Sequence, residues 1–107
     1  MAGVKETEFL IQLGPTDRFR EQHARSGKRI IHFTVQHETF WQGKWLPVVR
    51  YDTAHGFAHR DLYDIHGKTM KTPLLILNSN QALTFAESDL KVNWQVYRER
   101  FMKGAKQ

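Results

Sequence analysis

RIIHFTVQHETFWQGKWLPVVRYD, residues 29–52, decides the fold. Its first half is long and rich in β-branched and aromatic residues, the composition of a strand. Two-residue alternation sets Ile31, Phe33 and Val35 on one side and Ile30, His32, Thr34 and Gln36 on the other. Gln42-Gly43-Lys44 then turns the chain, because glycine adopts positive φ without a Cβ penalty. Residues 45–52 return as the partner strand. Pro47 has no N–H to donate, so it belongs on an edge or at a bulge. Trp41 and Trp45 flank the turn. Their spacing suggests a cross-strand aromatic pair, or, if exposed, a platform for unpaired bases.

Working outward, residues 53–56 (TAHG) form a second turn and residues 57–64 a third strand of mixed polarity. Gly67 marks a third turn, and residues 69–78 hold a fourth piece of the meander ending in the apolar run Leu74–Leu77. Upstream, Phe9, Ile11 and Leu13 alternate in a short strand over 7–13, ended by Gly14-Pro15. Thr16 or Asp17 is suited to cap a short helix running to Arg25, with Phe19 as its only large apolar residue. Downstream the period changes. Leu83, Ala86, Leu90, Trp94, Tyr97 and Phe101 recur at helical spacing. Asn78, Ser79 and Asn80 all qualify as its N-cap, and Gly104 as its stop. The expected fold is α+β: an antiparallel β-meander of about four to five strands with one long C-terminal helix packed on one face, in a single domain over 1–107.

The 107 residues include no cysteine, which excludes disulfides and cysteine-bound zinc. No apolar run reaches the roughly 20 residues of a membrane helix, and the N-terminus lacks the apolar stretch of a signal peptide, so a cytoplasmic protein without a membrane partner is expected. A net charge of +5 permits nucleic-acid binding.

Chemistry concentrates in RYDTAHGFAHRD, residues 50–61. His55 and His59 are suited to carry protons near neutral pH, with Asp52 as orienter. Arg50 and Arg60 are suited to hold a phosphate. Together they match metal-independent RNA cleavage, in which one histidine takes the 2′-hydroxyl proton and the other protonates the leaving oxygen. The bland reading is a polar hairpin whose charges pair at the surface. A metal reading uses Asp52, His55 and His59, with His66 as a fourth ligand, although no recognised metal spacing is present. No metal and no cofactor is assigned on that basis. His23, His32, His37 and His66 read as surface or half-buried residues, with His32 and His37 on opposite faces of one strand.

VVRYDTAHGFAHRDLYD (48–64), followed by ALTFAESDLKVNWQVYRERF (82–101), resembles a group of small uncharacterised bacterial and archaeal proteins. That group carries a Tyr-Asp-x-x-His-Gly-x-x-His core and a long final helix. A shorter likeness, at Tyr51, Asp52, His55 and His59, is similar to TumE-type toxins of toxin–antitoxin systems. The resemblance implies a toxin-like component that binds or cleaves RNA. The alternative is a non-enzymatic interaction module, a homodimer or one half of a protein pair, because one helix covers only one face of a sheet.

Overall fold

The computed structural model describes residues 3–53 and 56–106. Six strands form one antiparallel sheet in sequence order: β1 (Val4–Gln12), β2 (Asp17–Ser26), β3 (Arg29–Trp41), β4 (Lys44–Asp52), β5 (His59–Tyr63) and β6 (Thr69–Pro73). One helix, α1 (Ser79–Lys103), follows, with a short 3-10 turn over Gly104–Lys106. The architecture is α+β as the periodicities indicate, with six strands rather than four or five.

The additional strand is β2, in place of the short helix that its capping residues suggest. Asp17, Phe19, Glu21 and His23 alternate toward α1, whereas Arg18, Arg20 and Gln22 point away. A strand reads poorly when three of its four inward residues are polar. It stands because those residues find partners under the helix.

Two bulges set which residues face the core. Between β2 and β3 the register passes from Ala24↔His32 to Arg25↔Ile30, leaving Ile31 as the extra residue. The parity therefore flips, and Ile30 joins Phe33 in the core while Ile31 is exposed. This reverses the simple alternation expected for Ile30 and Ile31. Between β3 and β4 the register passes from His37↔Val49 to Glu38↔Pro47, so Val48 bulges beside Pro47 and both Val48 and Val49 are buried. The β3–β4 turn has Gln42 at φ 50° and Gly43 at φ 81°, the two positive angles a type I′ hairpin needs.

Leu83, Ala86, Leu90 and Phe101 of α1 bury against Phe19, Phe33, Val35, Val49 and Tyr51, with Trp94 and Tyr97 half-buried on the same stripe. Full burial of a side chain such as Leu90 contributes about 1.5–3 kcal/mol. Asn78 is the N-cap: its Oδ1 accepts from the Gln81 N–H at 2.8 Å, and Gln81 Oε1 accepts from the Asn78 N–H at 3.0 Å. Asn80 instead clasps the sheet, accepting from Ile30 N–H at 2.9 Å and donating to Lys28 O at 2.7 Å. Gly104 lies in the right-handed region at φ −64°, so positive φ does not explain it. A Cβ there would sit 3.1 Å from Ile65 Cγ2, so close packing favours glycine.

Candidate functional site

The register of β4 and β5 builds the site. Asp52 lies opposite His59, Arg50 opposite Asp61, and Tyr51 opposite Arg60. Period-two alternation sends Arg50, Asp52, His59 and Asp61 to the open face, away from α1, and Tyr51 and Arg60 to the helix face.

On the open face, His59 Nε2 is 2.8 Å from Asp52 Oδ1 and 3.7 Å from Asp61 Oδ2. The His59 side chain is only 3% exposed, with Phe57 edge-on at 6.4 Å between ring centroids. Lys71 Nζ, from β6, is 3.0 Å from Asp61 Oδ1. Three potential ligand atoms, one each from Asp52, His59 and Asp61, lie within 4.8 Å of one another.

Next to this group is a guanidinium cluster. Arg18 Nε binds Glu38 Oε1, and Arg20 Nε is 3.4 Å from Glu38 Oε2. Gln36 donates to Glu38 and accepts from Arg50 Nε at 2.6 Å. Glu38 and Gln36 are buried on a face with no helix over it, since the long arginine stems cover them. Arg18 lies 3.9 Å above the Trp45 ring, and Arg50 stands 5.9 Å from the Tyr63 ring centroid. Trp45 pairs across the strands with Phe40, at 5.2 Å between centroids, and Trp41 with Lys44. The aromatic pair at this hairpin is thus Phe40–Trp45 rather than Trp41–Trp45.

The residues expected to act together are therefore divided. Asp52, His59 and Arg50 share one face. Arg60 is on the other, its Nη1 donating to Tyr97 Oη at 3.5 Å, so the two arginines do not converge on one phosphate. The reason is elementary: adjacent strand residues point to opposite sides. His55 lies outside the described residues. His66 lines a separate cleft with Trp41 and Lys44 and does not join Asp52 and His59 as a fourth ligand. His32 and His37 do fall on opposite faces, as their spacing indicates.

Under α1 three more polar groups are enclosed. Asp17 Oδ2 meets His37 Nε2 at 2.6 Å, and Asp17 Oδ1 accepts from Thr16, Thr39 and Arg98. Burial alone would raise the Asp17 carboxyl. The hydrogen bonds from His37 and Thr16 and the charges of His37 and Arg98 outweigh it and hold Asp17 below the ordinary carboxylate range. Glu21 is fully buried, with His23 Nδ1 at 2.7 Å. Burial, and then the hydrogen bond and charge of Glu87, push Glu21 up to about 8, with Lys91 pulling the other way. Tyr51 and Tyr97 both donate to Asp89 Oδ2, at 2.7 and 2.5 Å. Burial first, and Asp89 second, raise both phenols above the usual tyrosine range.

Sequence reasoning did not identify Glu38, Gln36, Arg18 and Arg20 as neighbours of Arg50, nor Asp61 as the second carboxylate at His59. The signal for Asp61 was available, since residues two apart on a strand share a face.

The fold and the open face define a class: a six-stranded meander backed by one helix, with a basic and aromatic outer surface. Over residues 4–107 the chain matches the family described as Domain of unknown function (DUF7718), and it belongs to that family. No curated protein and no solved structure matches the chain. Among the described residues no helix is long and apolar enough to cross a membrane.

Proposed function

We propose that the open face of the sheet binds single-stranded RNA. The observation that carries this reading is the grouping of Arg18 and Arg20 on Glu38, with Arg50 joined to them through Gln36, beside Trp45, Phe40 and Tyr63. Guanidiniums contact phosphate bidentately, and exposed aromatic rings stack on unpaired bases. The net charge of +5 favours a polyanion. Within this reading Arg50 contacts phosphate, and His59, held by Asp52, carries the proton of an RNA-cleaving, toxin-like activity.

The test is fluorescence anisotropy with a labelled single-stranded RNA between about 50 and 200 mM salt. Wild type should bind with a steep salt dependence. The Arg18→Ala/Arg20→Ala/Arg50→Ala variant should bind more weakly, with the slope of log K against log salt reduced by about 0.7 for each phosphate it no longer neutralises. Equal binding by wild type and this variant would sink the proposal. A denaturing gel of the same samples, with His59→Gln alongside, separates cleavage from binding.

A second reading has its own support. Phe85, Val92 and Val96 lie on one outer side of α1, and Val92 and Val96 are 73% and 66% exposed. They favour a protein partner or a second copy of the chain at the helix rather than at the uncovered sheet face, where the exposed Phe40 stands among arginines. Sedimentation velocity distinguishes the two, because association through valines is insensitive to the salt that would release RNA.

A further inference from the structure

We propose that Asp52, His59 and Asp61 bind one divalent transition-metal ion. The geometry is the first reason. At metal–ligand distances of about 2.0–2.2 Å, tetrahedral ligands stand roughly 3.3–3.6 Å apart. The His59 Nε2 separations of 2.8 Å to Asp52 and 3.7 Å to Asp61 bracket that edge, so small rotations of the two carboxylates complete the set. The three residues come from paired positions of β4 and β5, which fixes their backbones before any ion arrives.

Asp61 supplies an independent observation. Its side chain is 8% exposed, and its Oδ1 accepts no hydrogen bond from the described residues. Lys71 Nζ faces it as an ion pair at 3.0 Å. The buried oxygen therefore relies on a neighbouring positive charge. Lys71 is 58% exposed on the edge strand β6, so its ammonium is a removable cation that can swing to solvent. One imidazole nitrogen and two carboxylate oxygens suit Zn²⁺, Co²⁺ or Mn²⁺, and three protein ligands leave a position for water. Asp17, the other buried aspartate beside a histidine, offers no such site, because His37, Thr16, Thr39 and Arg98 already occupy its two oxygens.

The site does not depend on RNA binding and is tested without it. An ion on His59 Nε2 takes the place of the proton that the cleavage reading assigns to that nitrogen, so metal-loaded protein would not cleave RNA through His59. Metal-free full-length protein is titrated with Co²⁺ and followed by visible absorption, then challenged with Zn²⁺. In parallel, the ring-nitrogen NMR signals of ¹⁵N-histidine-labelled wild type are followed during Zn²⁺ addition. The expected result is one bound Co²⁺ displaced by Zn²⁺, with the His59 ring resonances shifting at one equivalent. Asp61→Asn should weaken binding at least about tenfold. Lys71→Ala removes the competing ammonium and should tighten it several-fold. The His59 resonance reads the site directly in wild type, so the test survives a variant that fails to fold. The proposal is overturned if the His59 signals stay fixed while metal is added. It is equally overturned if folded Asp61→Asn binds as tightly as wild type, or if Lys71→Ala leaves the affinity unchanged.

Discussion

The two faces of the sheet carry similar side chains and use them differently. On the open face Glu38 gathers Arg18 and the exposed Arg20 beneath which it lies, whereas under α1 Asp17 gathers His37 and Thr39 in the interior and Arg98 at its edge. Water reaches Arg20 in the first group, while Arg18 and Glu38 are largely covered by their neighbours. It is excluded from most of the second, whose lone pairs and donors must be matched inside the protein. The same chemistry is therefore available for ligands on one side and committed to the fold on the other.

The largest effect expected of this difference is at Asp17. Asp17→Ala strands the fully buried His37 without its acceptor, while the part-exposed Arg98 can turn to water, and should cost about 3–5 kcal/mol in urea denaturation, the usual penalty for removing one partner of a buried ionic group. A loss no larger than that of Arg18→Ala on the open face would mean that the two faces are energetically alike.

The next effect is one of pH. Glu21 keeps its proton up to about 8 in the folded chain, whereas an ordinary glutamate gives it up near 4.5. Between those values the unfolded chain releases a proton that the folded one retains, so unfolding becomes easier as pH rises. Stability from this group is full below about 4.5 and lost once pH has passed about 8. Glu21→Gln keeps the shape and removes the titration. It should flatten the fall in stability across that window and be the more stable protein at its alkaline end. Parallel pH profiles for wild type and variant would mean that Glu21 is not the group that titrates in this window.

The smallest stability effect belongs to the open face. Arg18→Ala should cost about 1–3 kcal/mol, less than Asp17→Ala, since the buried Glu38 loses one charged donor but keeps Arg20. Chemical denaturation of Arg18→Ala beside Asp17→Ala would measure the contrast directly.

The β3–β4 hairpin was legible from its β-branched and aromatic composition and its glycine turn, and α1 from the helical period of its apolar residues. β2 was not, because its inward positions are Asp17, Glu21 and His23, whose partners come from β3 and α1 and are invisible in a local window. Ile30 and Ile31 misled for another reason: a single bulged residue inverts the parity of everything beyond it. The site was half legible. Residues 59–61 alone were enough to separate Arg60 from His59 and to join Asp61 to it. The distance between Asp52 and His59 depended on how the intervening turn sets the register, which twelve residues of sequence do not specify.

The strand order adds a consequence for how the chain comes together. Every strand pairs with the one before it, so the sheet can grow hairpin by hairpin, each step closing only a short loop. Only α1 must travel far, ending with Asn80 clasping residues some fifty positions back at Lys28 and Ile30. A sheet waiting for its helix ordinarily displays a greasy face and invites other chains. Here the waiting face interrupts its apolar residues with Asp17, Glu21, His23 and His37, all soluble in water until α1 closes over them. The polar interior thus protects the unfinished protein from its neighbours, and the cost is borne only when the helix docks.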